Sequence, residues 1–133
     1  SYRGETKYIL SKYNNENITI KNSIPQKQLS LEFNKSDIYV ILSIEEGLSL
    51  TIPQAMSVGC IVIATPNTGA EELIINNING FIINHDFNEF LEIISNLLDD
   101  NNLRERISVN AINSMKQNCG FKNYVDRLIE CVE

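Results

Sequence analysis

Two patterns of apolar residues, continuous runs and alternation with polar residues, predict short strands in this chain of 133 residues. Residues 38–42, 60–64 and 81–83 are continuous apolar runs, the pattern of strands that are covered on both faces. Residues 17–21 alternate Ile18 and Ile20 with polar side chains, which predicts a half-buried strand. The sequence therefore predicts four strands, and the chain is long enough to build one domain with its own core.

Helical spacing of apolar residues fills the intervals between these strands. The predicted helices span residues 4–15, 26–35, 50–58, 70–75, 87–98, 103–117 and 121–132. Their candidate core positions include Leu29, Leu31 and Phe33 in the second helix, and Phe87, Phe90, Leu91, Ile94 and Leu98 in the fifth. Gly59 ends the third helix, and Pro53 stands in its first turn, where a missing N–H is least costly. Polar clusters at 65–69 and 76–80 are predicted turns.

Strands that alternate with helices at short spacing predict the α/β class, a Rossmann-like parallel sheet with helices on both faces. The carboxyl ends of parallel strands meet at one edge of the sheet, where ligands of such folds bind. We expect the turns at 45–51 and 65–69 to lie on that edge. The first turn of a helix can hold an anion, and the carboxylate of Glu46 can accept hydrogen bonds from hydroxyls. The pattern suits a ligand with phosphates at one end and a polyol at the other.

Composition narrows the class of partner. The net charge of −6 argues against nonspecific binding of nucleic acid. Residues 41–100 contain nine Asp and Glu and no Lys or Arg, so phosphate there needs backbone amides and bases from elsewhere. Three cysteines without a CxxC pair favour a reducing cytoplasm over disulfides or zinc. No apolar run approaches the length of about 18 residues that spans a membrane, and we expect a soluble, cytoplasmic domain. We expect no metal and no cofactor, and we interpret His85 as a surface residue.

Four ordered segments of the chain carry a resemblance to a known family. Residues 46–56, Glu-Gly-Leu-Ser-Leu-Thr-Ile-Pro-Gln-Ala-Met, resemble the frame Glu-Gly-x-x-Leu-x-x-x-Glu-Ala-Met of the retaining, GT-B-fold glycosyltransferases of family 4, the group 1 transferases. Residues 59–64, 68–74 and 78–83 are similar to the strand, turn and strand that follow in that family. The register is uninterrupted from about Asn17 to Lys116. The chain resembles the C-terminal, nucleotide-sugar-binding half of these enzymes.

The resemblance implies a role for individual residues. Glu46 would contact the hydroxyls of the donor sugar, and a turn at Ser23 and Ile24 would meet the base. Gln54 stands where the family has a second acid that holds the ribose diol, and a neutral glutamine accepts a weaker hydrogen bond than a carboxylate. The sugar and the diphosphate would be met by Gly47 and by the backbone N–H groups of Leu48, Ser49, Leu50 and Thr51.

Two departures from the family shape the functional expectation. The Arg and Lys that neutralise the diphosphate have no counterpart here, and neither does the N-terminal acceptor domain. We expect one partial donor-binding domain over residues 1–133, with a terminal helix in 121–133. The isolated fragment would be inactive. The parent would transfer a sugar, with retention, from a nucleoside-diphosphate sugar to a glycan, lipid or other acceptor, as in polysaccharide biosynthesis. Any membrane contact would come through the missing half.

Two other classes remain open. In a non-catalytic binding or interaction module, the Gln54 replacement and the absent basic pair would mean that donor chemistry has been lost. Another doubly wound nucleotide binder is the third class, although the chain lacks the Gly-x-Gly-x-x-Gly fingerprint of a dinucleotide site.

Overall fold

The structure is a computed structural model that describes residues 16–21, 23–43 and 50–117. In chain order its elements are α1 (Gln26–Lys35), β1 (Ile38–Ile41), α2 (Thr51–Ser57), β2 (Ile61–Ala64), α3 (Thr68–Leu73), β3 (Phe81–Ile82), α4 (Phe87–Asp99) and α5 (Asn101–Gln117). The helices predicted at 4–15 and 121–132 lie outside the described residues. Within the described part of the chain, no helix is both long and apolar enough to cross a membrane.

The three strands form one parallel sheet in the order β1-β2-β3. Ile38 is paired with Ile61 in the first ladder, and Ile63 with Phe81 in the second. The central strand β2 is buried along its whole length, as its continuous apolar run predicts. Helices connect successive strands, so the predicted α/β class with a parallel sheet is confirmed.

Two hydrophobic cores lie on opposite faces of the sheet, because successive side chains of a strand point to opposite faces. Val62 and Ala64 of β2 face the first core, and Ile61 and Ile63 face the second. The first core is completed mainly by α2, α3 and the end of α5, and the second mainly by β3, α4 and the start of α5. Helix α5 therefore contributes to both cores.

Gly59 makes the sharp reversal between α2 and β2. Its φ is +83°, and the N–H of Cys60 donates to the carbonyl oxygen of Ala55 at 3.0 Å, as in a Schellman motif. A Cβ on Gly59 would lie 2.6 Å from the hydroxyl oxygen of Ser108. The predicted end of this helix at Gly59 is confirmed.

Several predicted boundaries and exposures are wrong. Residues 16–21 form no strand, and Ile18 and Ile20 are 44% and 48% exposed. Strand β1 is an edge strand of the described sheet, and Val40 on it is exposed rather than covered. Helix α3 begins at Thr68 and not at residue 70, because the side chain of Asn67 caps it.

The predicted core stripe of α4 is confirmed at Phe90 and Ile94 and wrong at Phe87, Leu91 and Leu98. Phe87 and Leu98 are 68% and 67% exposed, and Leu91 is exposed as well, whereas Leu97 is fully buried. Seven of the thirteen α4 residues are Phe, Leu or Ile, so helical period alone does not select the buried face. The packing surface offered by β2 and β3 selects it, and the residues that face the core are Phe90, Ile93, Ile94 and Leu97. In α1, Leu31 is exposed while Phe33 is buried.

Candidate functional site

The carboxyl edge of the sheet is held together by a corner that follows β2. The hydroxyl of Thr65 donates to the carbonyl oxygen of Ser43 at 2.6 Å, and the N–H of Thr65 donates to the carbonyl oxygen of Ile41 at 3.1 Å. Thr65 is 1% exposed. The backbone that leaves β1 is thus fixed against the end of β2, immediately before residues 44–49.

Asn67 makes this corner rigid. Its side-chain nitrogen donates to the carbonyl oxygen of Thr65 at 2.9 Å, and its side-chain oxygen accepts from the N–H of Ala70 at 2.9 Å. The second bond caps the N-terminus of α3. One buried side chain therefore connects the end of β2 to the start of the next helix.

The start of α2 lies on the same edge and is held from β1. The hydroxyl of Tyr39 donates to the hydroxyl oxygen of Thr51 at 3.1 Å. The Tyr39 ring meets Phe33 edge to face, with ring centroids 4.9 Å apart. Leu50 accepts through its carbonyl oxygen from the N–H of Gln54 at 3.2 Å, which closes the first turn.

Gln54 contains an unusual polar atom. Its side-chain oxygen is buried, and among the described residues no donor forms a hydrogen bond with it. A buried acceptor without a partner costs about 1–3 kcal/mol of stability, so native structures rarely keep one without a reason. This atom belongs to the first turn of α2, at the edge where the sheet's ligands are expected.

The structure brings together some of the residues predicted for the site. Leu50, Thr51 and Gln54 lie together in the first turn of α2. Ser23 and Ile24 precede α1, which leads directly into β1; because a connecting helix runs antiparallel to its strands, its start is directed toward the carboxyl edge. Glu46, Gly47, Leu48 and Ser49 lie outside the described residues.

Three side chains of this edge, Tyr39, Thr65 and Asn67, are not predicted from the sequence. The turn at 65–69 was predicted, but its polar residues were not assigned a role. The available signal was a hydroxyl residue immediately after a fully buried strand, followed two residues later by an Asn that can cap a helix. Tyr39 gave no such signal, because a tyrosine in an apolar run is also typical of core packing.

Titratable groups elsewhere do not form a second reactive centre within the described ranges. No three His, Cys, Asp or Glu side chains there are grouped so as to hold a metal ion. Burial, and then the nearby charge of Asp37, raise the pKa of the Cys60 thiol to about 11. The thiol is therefore neutral near pH 7, and Cys60 acts as a small core residue, as expected.

Comparison with known proteins identifies the family to which the chain belongs. The family model for glycosyl transferases of group 1 matches residues 2–114, and the chain belongs to that family. An uncharacterized glycosyltransferase of Methanocaldococcus jannaschii is 31% identical over 121 residues, which cover 90% of this chain and 31% of the relative. The chain thus spans about a third of the length of that curated relative.

Solved structures show the same fold. The C-terminal domain of a group 1 family glycosyl transferase from Francisella tularensis has a TM-score of 0.75 at 22% identity, covering 90% of this chain and 63% of that one. HepE of Anabaena, solved in complex with UDP-glucose, has a TM-score of 0.67 at 24% identity, covering 78% and 29%. The expected likeness to the C-terminal half of GT-B glycosyltransferases is confirmed.

Proposed function

We propose that this chain is the donor-binding half-site of a glycosyltransferase that takes its sugar from a nucleoside diphosphate. The observation that carries this proposal is the buried side-chain oxygen of Gln54 on the carboxyl edge, which has no hydrogen-bond partner among the described residues. A ribose hydroxyl is a suitable donor for that oxygen, and Gln54 stands where the family holds the ribose diol. The structural relative HepE was solved with UDP-glucose, which makes a nucleotide-sugar ligand a reasonable first probe.

In this proposal the chain preorganises the leaving group. Negative charge grows on the diphosphate as the glycosidic bond breaks, and backbone N–H groups from Gly47 to Thr51 stabilise it without reorganising. Glu46 accepts hydrogen bonds from the sugar hydroxyls and orients the ring. Ser23 and Ile24 contact the base. No residue in this list is a covalent nucleophile.

The rest of the reaction is assigned to the parent protein. The acceptor, a glycan or a lipid, would bind to a part of the parent protein that corresponds to the region of the relatives outside this chain. Transfer with retention, a cytoplasmic site, and peripheral contact with the inner membrane face belong to the same proposal. It requires neither a metal nor a cofactor.

A non-catalytic binding module is the second candidate, and Gln54 is the observation that favours it. A charged acceptor forms hydrogen bonds roughly twice as strong as a neutral one. The neutral side chain at this position therefore lowers donor affinity relative to the family frame. A module that binds a nucleotide sugar without transferring it would tolerate that loss.

The first experiment is an NMR amide titration of the 133-residue chain with UDP, GDP, ADP and their sugar conjugates. Saturable shifts confined to residues 23–24, 46–54 and 65–69 are the expected result, and the nucleotide that gives them names the base. If no nucleotide shifts these amide signals, the proposal that this chain binds the donor is wrong.

Glu46→Ala tests the sugar contact, with Glu45→Ala as the matched control. Glu46→Ala should abolish the shifts caused by the sugar part of the conjugate and leave the melting temperature nearly unchanged. Glu45 is interpreted as a solvated neighbour, so its loss should leave the titration as in the wild type. A large loss of stability with unchanged binding in Glu46→Ala would assign that residue to folding.

A further inference from the structure

Two side-chain hydroxyls hold the residues on either side of segment 44–49. The Thr65 hydroxyl donates to the carbonyl oxygen of Ser43 at 2.6 Å, and the Tyr39 hydroxyl donates to the hydroxyl oxygen of Thr51 at 3.1 Å. We call this pair, Thr65 and Tyr39, the hydroxyl clamp. We propose that the hydroxyl clamp positions the donor site, with neither residue touching the ligand. This inference rests on the function proposed above.

The Thr65 half of the clamp is anchored by the central strand. Thr65 follows β2 directly and is 1% exposed, so water does not compete for its hydroxyl. Its N–H is bonded to Ile41 and its carbonyl oxygen to Asn67, which leaves little freedom to the backbone. The position of the Ser43 carbonyl is therefore set by the most buried element of the fold.

The Tyr39 half is anchored by ring packing. Tyr39 lies in β1, paired with Val62 of β2, and its ring meets Phe33 of α1 at an interplanar angle of 65°. Strand and ring together aim the hydroxyl at Thr51, the first residue of α2. The clamp thus fixes the spacing between the end of β1 and the start of α2 from two different elements.

Such positioning matters because donor binding uses contacts from both sides of the segment. In the sequence, Gln54 follows Thr51 and Glu46 follows Ser43, so each half of the clamp stands next to one residue of the proposed site. Misplacement by about 1 Å can lower the rate of a catalysed step about 100-fold. A site that must meet several ligand groups at once is therefore sensitive to the spacing of its two sides. A purely structural role makes a different prediction, since loss of either hydroxyl would then lower stability without any selective effect on the carboxyl edge.

Isosteric variants separate the two roles. Thr65→Val keeps the shape and removes the hydroxyl, Thr65→Ser keeps the hydroxyl, and Tyr39→Phe keeps the ring contact with Phe33. The matched control is Ser57→Ala, because the Ser57 hydroxyl donates to the carbonyl oxygen of Pro53 at 2.6 Å, at the far end of α2. All four variants and the wild type are titrated with UDP-glucose, GDP-mannose and ADP-glucose.

We expect Thr65→Val and Tyr39→Phe each to raise the Kd of the bound nucleotide sugar by about 3- to 10-fold, the range for one lost hydrogen bond. Thr65→Ser and Ser57→Ala should remain close to the wild type. In the ligand-free protein, amide hydrogen exchange should accelerate at residues 43–51 in the two clamp variants and stay unchanged in α5.

The outcomes distinguish this inference from the function beneath it. If the wild type binds none of the three nucleotide sugars, the proposed function is wrong and the clamp's role in it is overturned as well. If the wild type binds but both clamp variants match it in Kd and in exchange, only the clamp is overturned. If Ser57→Ala weakens nucleotide-sugar binding as much as the clamp variants do, the clamp is overturned as well, because the loss of affinity would then follow the general loss of stability.

Discussion

At Gln54, the stability of the free protein and the binding of a ligand make opposite demands on one side chain. Its amide oxygen is buried in the first turn of α2 without a hydrogen-bond donor among the described residues. Folding removes that oxygen from water, and no described residue replaces the lost hydrogen bond, whereas the hydroxyl of a bound ligand would do so. The free protein would then be less stable because of this unsatisfied oxygen, and ligand binding would remove that loss of stability.

Gln54→Met tests this tension. Methionine has a similar shape and no oxygen, so we expect the free energy of unfolding to stay equal or to rise by about 1 kcal/mol, while nucleotide-sugar binding weakens. Gln54→Glu should do the reverse, since a carboxylate is costlier to bury and a stronger acceptor for ribose hydroxyls. Urea unfolding and the NMR titration measure the two quantities. A Gln54→Met variant that loses stability and binds normally would show that the amide is structural.

Cys60 gives the chain a defined alkaline sensitivity. Its pKa is raised from 9.0 to about 11, first by burial and then by Asp37. Between these values the unfolded chain releases the thiol proton and the native chain keeps it, so the free energy of unfolding falls as the pH rises. We expect the fall from pH 9 to 11 to be shallower in Cys60→Ala than in the wild type, as followed by urea unfolding. Parallel curves would contradict the raised pKa.

At the scale of elements, the sequence predicts those helix and strand bounds that are determined by local periodicity and turn residues. The bounds of α1, the buried β2 and the stop at Gly59 follow from local patterns and agree with the structure. The buried face of α4 does not follow from them, because the apolar stripe of that helix is wider than the face that packs, and only its packing partners select Leu97. At the site, α2 was predicted where Gln54 lies, but the Thr65 bond joins residues 22 positions apart and no local pattern indicates it.

The junction of α2 and β2 places a strict steric demand on residue 59. Gly59 combines φ +83° with a Cβ position 2.6 Å from the Ser108 oxygen, and the Ser108 hydroxyl donates to the Gly59 carbonyl oxygen at 2.7 Å. We expect Gly59→Ala to lower the free energy of unfolding by about 1–3 kcal/mol, from backbone strain and the clash together.

Ser108→Ala provides the matched partner for that measurement. Combined with Gly59→Ala, it removes the clashing oxygen and leaves the strained backbone, so the double variant should lose less than the sum of the single losses. Thermal and urea unfolding of the four proteins complete the cycle. Additive losses would mean that the Ser108 side chain moves aside and that the backbone alone accounts for the cost.

At the scale of the whole molecule, three of the six Lys and Arg side chains in the described residues are engaged in contacts of their own. Lys21 pairs with Glu32 at 2.7 Å, Arg104 donates to the carbonyl oxygens of Leu97 and Leu98, and Arg106 donates to the carbonyl oxygen of Asn77. Residues 41–100, which carry most of the proposed site, contain nine acids and no Lys or Arg. The chain as a whole therefore repels a diphosphate rather than attracting it.

This charge distribution predicts an unusual response of nucleotide binding to salt. A site that neutralises phosphates with Lys or Arg loses affinity as salt screens the attraction, whereas a site built from backbone amides in an acidic molecule has no such attraction to lose. We expect the Kd of UDP-glucose to change by no more than about twofold, and toward tighter binding, when NaCl rises from about 50 to about 500 mM. Isothermal titration at a series of salt concentrations measures it, with KCl replacing NaCl as the control for ion identity. A tenfold loss of affinity would instead reveal a cationic side chain at the phosphates, and the amide-based site proposed for Gly47–Thr51 would be wrong.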